Sequence, residues 1–115
     1  MGDSAIAIDP TSGLLRNYLN DTTWFGETSG TALLSSVIYR MAVLAPEVFA
    51  SDNTYLAWAD RLRKAVAMHV DANGILSPAI DPENWGGHTP YTIGSPEGQS
   101  FGVMLGAAYR DWACK

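Results

Sequence analysis

The chain has 115 residues, 47% of them hydrophobic, a formal charge of -5 and an isoelectric point near 4.7, values that fit one ordinary globular domain with a sizeable core. Its acidic balance and seven scattered Lys and Arg residues exclude nucleic acid as a partner, since phosphate binding needs a clustered basic face. The single cysteine, Cys114, excludes an internal disulfide and a cysteine-rich metal site, so folding requires no oxidising compartment and the location stays open.

The opening MGDSAIAIDP lacks the basic flank and apolar run of a secretory signal or transit peptide. Ile6 stands where a myristoylation start wants Ser or Thr. DPTSGLLRNYLNDTTW then reads as a turn, a brief extended run after Gly13, and a second turn over residues 20–23. A helix is expected over 27–45, ended by Pro46. Its core, ETSGTALLSSVIYR, carries no charge between Glu27 and Arg40 and is rich in Gly, Ser and Thr, poor helix formers that make sense only where the surroundings demand small, uncharged side chains.

A second helix is expected over 53–70, with Ser51, Asp52 and Asn53 all able to cap it. It places Tyr55, Ala59, Leu62, Val66 and Val70 on one face and Asp60, Arg61 and Lys64 on the other, the pattern of an outer helix with one side in water. Gly74 closes it in the left-handed conformation. The third helix, expected over 96–112, has Ser95 as N-cap, Pro96 at the first helical position and Glu97 in the first turn. With no alternating strand pattern of useful length, the chain reads as all-α. No segment reaches the ~20 apolar residues of a membrane span.

The first and third helices are uncharged over three turns, which implies inner helices buried on every side. Gly98, Gly102 and Gly106 share one stripe of the third, as do Thr28 with Ala32 and Ser29 with Leu33 on the first, so the two are expected to pack side by side along small residues. These segments also match each other: GLL at Gly13 answers GIL at Gly74, Trp24 answers Trp85, and ETSGTALLSSVIYR aligns without a gap on EGQSFGVMLGAAYR from Glu97 to Arg110. A unit of turn, short extended run, Trp loop and inner helix therefore occurs twice, the mark of stacked helical hairpins.

Several motifs have both a structural and a chemical reading. Gly26-Glu27-Thr28-Ser29-Gly30 is no nucleophile elbow, because Thr28 holds the middle position and no strand precedes it. His69 and His88, unpaired and without ligand spacing, build neither a triad nor a metal site. Trp24, Trp85 and Tyr91 lie in loops leading to the inner helices, where they either plug the core or stack on a sugar ring. Glu27 and Glu97 are helix-dipole partners or a general acid or base. Asn20-Asp21-Thr22 fits a glycosylation sequon, meaningful only in a secreted protein.

WFGETSGTALLSSVIYRMA, followed by SPEGQSFGVMLGAAYRDW, resembles the C-terminal third of the unsaturated glucuronyl and rhamnogalacturonyl hydrolases, glycoside hydrolase families 88 and 105. The resemblance covers almost all of this chain and only the last part of the family. It implies helical hairpins of an (α/α)6 toroid, here a partial ring, and hydrolysis of oligosaccharides that begin in a 4,5-unsaturated uronic acid. In that family an Asp protonates the double bond, water adds, and the linkage collapses. The residue resembling that acid lies upstream of anything in this chain, so no catalytic residue is carried over. The rim positions left as sugar contacts are Trp24, Glu27, Thr28, Ser29, His88, Glu97 and Gln99. No cofactor or metal is implied. The expected partners are an oligosaccharide and, because a partial ring leaves inner helices uncovered, a second copy or the missing hairpins. The competing class is a non-enzymatic helical module that binds carbohydrate or protein.

Overall fold

The computed structural model describes residues 4–115. Its elements are α1 (Ser4–Ala7), α2 (Thr28–Leu44), α3 (Pro46–Phe49), α4 (Thr54–Ala67) and α5 (Pro96–Ala113). No strand forms among the described residues; four isolated antiparallel bridges, such as Ile8 with Leu15 and Val70 with Leu76, tie the turns. The all-α expectation holds. No described helix is long and apolar enough to cross a membrane.

α2 begins where Glu27, in extended conformation, closes the first turn with its side chain. It stops before Pro46, whose ring cannot continue an α2 hydrogen-bond ladder but fits the first position of α3. The small residues of α2 are explained by its neighbours. It is the helix that packs against both α4 and α5. Toward α4, the buried Ser35 hydroxyl donates to the Ala59 carbonyl at 2.9 Å. Toward α5, a Cβ on Gly98 would stand 3.5 Å from that of Ser29, close approach that larger side chains would forbid.

α4 is amphipathic as expected, burying Ala59, Leu62 and Val66, which recur at the spacing of one helix face. It ends at Ala67 rather than 70, because Val70 is drawn into the bridge with Leu76 and left 45% exposed. The Asp52 carboxylate, not the Asn53 side chain, takes the Thr54 amide, at 2.8 Å. α5 starts as read: the Ser95 hydroxyl accepts the Gly98 amide at 3.1 Å, with Pro96 in the first turn.

Burial of the inner helices on every side does not hold. Val103 is 74% exposed and Leu44 77%; these flanks simply have no neighbour among the described residues. The glycine stripe also divides. Gly98 meets α2, a Cβ on Gly102 would meet the Leu76 side chain, and one on Gly106 would meet nothing within 4 Å.

The repeat is visible in three dimensions and begins earlier than the GLL and GIL motifs. In each unit an Asp carboxylate organises the turn: Asp9 takes the Thr11 amide and Ser12 hydroxyl, Asp71 the Asn73 and Ile75 amides. Each turn ends in a glycine with positive φ, +76° at Gly13 and +81° at Gly74, a conformation other residues rarely adopt. The Trp equivalence fails. Trp24 is buried and Trp85 is 67% exposed, because the loop from Trp85 to α5 is longer than that from Trp24 to α2.

The α2–α4 seam holds a polar knot. The buried Tyr39 hydroxyl donates to Asp60 and accepts from Arg63 Nε at 3.1 Å. Burial, then the bond to Asp60, raises the Tyr39 phenol far above its ordinary value of 10.0, against the opposing pull of Arg63. The unfolded chain ionises this group at its ordinary value while the folded chain keeps the proton. Its contribution is therefore whole below about pH 10 and is lost as pH rises toward the folded value. Tyr39→Phe is expected to cost about 1 kcal/mol at neutral pH, and urea titrations should show the gap to the parent chain closing above about pH 10.

Candidate functional site

The two Trp loops and the starts of α2 and α5 form one end of the molecule. Two residues hold the first loop. Arg16 donates through Nη1 to the Trp24 carbonyl at 2.6 Å and through Nε to the Ile6 carbonyl at 3.1 Å. Asp21 accepts the Thr23 amide at 2.9 Å and the Thr23 hydroxyl at 2.6 Å, the side-chain-to-backbone closure typical of Asx turns. The Thr23 bonds, first the hydroxyl and then the amide, hold the Asp21 carboxyl below its ordinary value of 3.8, with His88 and Arg16 acting in the same direction.

Trp24 lies at the centre of this end, but as a covered ring. His88 stacks on it with centroids 3.8 Å apart and planes at 25°, and Tyr18 approaches edge-on at 5.2 Å. His88 Nε2 is also 3.4 Å from the Thr23 hydroxyl. With the hydroxyl proton directed to Asp21, the arrangement fits a ring that donates from Nε2. The second loop is thereby folded over the first, and Asn17 Nδ2 adds a bond to the Trp85 carbonyl at 3.4 Å.

At the start of α2, the buried Glu27 carboxylate accepts the Ser29 amide at 2.9 Å, the Gly30 amide at 2.6 Å and the Ser29 hydroxyl. These are otherwise unsatisfied donors of a first helical turn, and the anion also complements the helix dipole. Glu27 is thus fully engaged as a cap. Thr28 is wholly buried, its amide bonded to the Pro78 carbonyl at 2.8 Å and its hydroxyl without a partner among the described residues. Gln99 spans back to the second turn, accepting the Leu76 amide at 2.7 Å and donating to the Gly74 carbonyl at 3.0 Å. Glu97 is exposed and accepts the Ser95 hydroxyl at 3.0 Å.

The seven rim positions therefore separate. Trp24, Glu27, Thr28, Ser29 and Gln99 have side chains committed to covered packing or to bonds within the chain. His88 and Glu97 reach solvent, as do Tyr18 and Trp85, both exposed large aromatics. Sequence reading missed Tyr18, Asn17 and Arg16. The usable signal lay in the DTTW turn, since an Asp two residues before a turn amide often marks a closed loop that something else must pin.

Removing the cap should be measurable and the orphaned hydroxyl should not matter. Glu27→Ala is expected to destabilise by about 1–2 kcal/mol, or more if the amides stay buried without acceptors. Thr28→Val, which replaces an unpartnered hydroxyl by a methyl of similar shape, is expected to be neutral or slightly stabilising. Denaturant midpoints of both variants at one pH check the pair.

No protein-family model, curated protein or solved structure matches this chain.

Proposed function

We propose that this chain is part of a carbohydrate-active glycoside hydrolase acting on oligosaccharides with an unsaturated uronic acid at their end, and that it supplies sugar contacts rather than the proton donor. The observation that carries the reading is the pairing of two inner-type helix starts beneath aromatic loops, with Trp85, Tyr18 and His88 exposed at one end of the molecule. Aromatic faces suit the apolar face of a pyranose ring. The helical repeat is compatible with hairpins of an (α/α)6 toroid, of which these would be a partial ring.

Glu27 is a poor acid in this reading because its oxygens already hold the first turn of α2. Glu97, exposed and bonded only to Ser95, is the freer carboxylate. Neither matches the acid Asp of the resembling family. A second reading, a non-enzymatic helical module that binds carbohydrate or protein, is favoured by an open apolar groove beside α5.

The test is a disaccharide bearing a 4,5-unsaturated uronic acid, followed by proton–nitrogen NMR and by its ultraviolet absorbance. Binding in the millimolar range or tighter is expected to move the indole signal of Trp85 and the amides around Glu97, and Trp85→Ala to weaken it at least about fivefold, roughly the stacking energy of one aromatic. The absorbance should stay constant. Absence of any shift would remove the sugar contacts, and loss of absorbance would show that the acid lies within these residues, with Glu97→Gln and Glu27→Gln the variants to locate it.

A further inference from the structure

The groove beside α5 has a volume of about 410 Å³ and lies between Arg63, Val66 and Ala67 of α4, with Val70 just beyond that helix, and the α5 residues Val103, Leu105 and, along one stripe, Gln99, Gly102, Gly106 and Tyr109. These four α5 positions are not arbitrary. In the internal alignment of Glu27–Arg40 on Glu97–Arg110, they correspond to Ser29, Ala32, Ser36 and Tyr39 of α2.

α2 uses that side to receive α5. Ser29 meets Gly98, the Tyr39 and Tyr109 rings meet edge to face with centroids 5.3 Å apart, Arg40 pairs with Asp111 at 2.5 Å, and Ala32 and Ser36 are buried. On α5 the same register is open at Gly106, while Gly102 already packs on the Leu76 side chain and the Tyr109 ring lies under the Arg63 guanidinium, 3.9 Å from its centroid. Gly102 and Gly106 stand in place of Ala32 and Ser36, Tyr109 lines the groove in place of Tyr39, and Arg110, in place of Arg40, is 71% exposed and bonded only to the adjacent Asp111 at 3.2 Å.

We propose that this groove is the docking surface for a further helix of the α5 type, packed on α5 as α5 packs on α2. The partner is defined by its chemistry. It carries a small residue in its first turn, where Gly98 sits in α5, an aromatic ring to meet Tyr109, and a carboxylate at the Asp111 position to pair with Arg110. The charge match sets the direction of the helix, because reversing it would carry the carboxylate to the Gln99 end of the groove. The inference does not depend on the sugar reading, which concerns the opposite chemistry at the loops.

A synthetic peptide of residues 94–115 serves as the probe, since it contains the helix start of α5 and all three recognition groups. Fluorescence anisotropy of the labelled peptide titrated with the full chain is expected to show saturable binding in the micromolar range. Gly106→Leu in the chain places a side chain in the groove from a position where an added Cβ meets no atom within 4 Å, and is expected to weaken binding at least about tenfold. Arg110→Asp should weaken it similarly, and the peptide with Asp111→Arg should regain affinity for that variant. Circular dichroism confirms that both variants keep the parent fold.

Absence of binding would overturn the proposal, as would equal affinity for the parent and Gly106→Leu chains. Dependence on Arg40 instead of Arg110 would show that the peptide displaces α5 from α2. Self-association of the chain that Gly106→Leu abolishes, but that the peptide cannot compete, would place a second copy in the groove and would equally overturn it.

Discussion

The first turn of α2 is the constraint on which the rest of the molecule depends. Glu27 presents its amide to the Leu15 carbonyl at 2.9 Å, while the Thr31 hydroxyl takes the Leu15 amide at 2.9 Å and gives its proton to the Glu27 carbonyl at 2.6 Å. Thr28 hands its amide to Pro78 in the second loop. One buried turn therefore fixes the N-terminal segment, the central helix and the loop preceding α5. Because buried backbone groups must find partners, moving any of these three would orphan donors or acceptors in the other two.

From that turn the arrangement of helices follows. α2 is the shared neighbour of α4 and α5, so its residues must satisfy two approaching surfaces at once. Small polar side chains do so where apolar ones would not: Ser35 bonds to the α4 backbone, and Ser29 leaves room for Gly98. Helix propensity lost at such residues, up to ~1 kcal/mol per position for Gly, is offset by the close packing that they permit. Tyr39 then locks the seam with α4 through Asp60 and Arg63 and touches Tyr109 of α5. A single side chain thus registers all three long helices.

The chemistry of the loop end is shaped by the same economy. Side chains that look functional in isolation, Glu27 and Gln99 above all, spend their hydrogen-bonding capacity on the backbone. Groups left facing solvent are Trp85 and His88 on the longer second loop and Glu97 at the start of α5, with Tyr18 from the first loop beside them. The duplicated unit has consequently diverged in role. Its first copy is closed, with Trp24 covered by His88 and Tyr18, and its second is open, both at Trp85 and along the α5 groove.

The sequence by itself determined what local chemistry controls. The three long helices, the cap at Ser95, the wetted face of α4 and the duplication of the turn and helix were all legible, because spacing, capping and glycine placement act over a few residues. The tertiary structure alone decided which of two similar elements is covered. Trp24 and Trp85 are the same residue type in comparable loops, yet burial depends on loop length and on what the opposite loop lays across the ring. Glu27 and Glu97 both open helices, yet only the former is sealed by the strand-like run of Leu14 and Leu15 beside it. Uncharged flanks of α2 and α5 marked surfaces able to be buried; whether a neighbour exists to bury them is a property of long-range contacts, which no local pattern encodes.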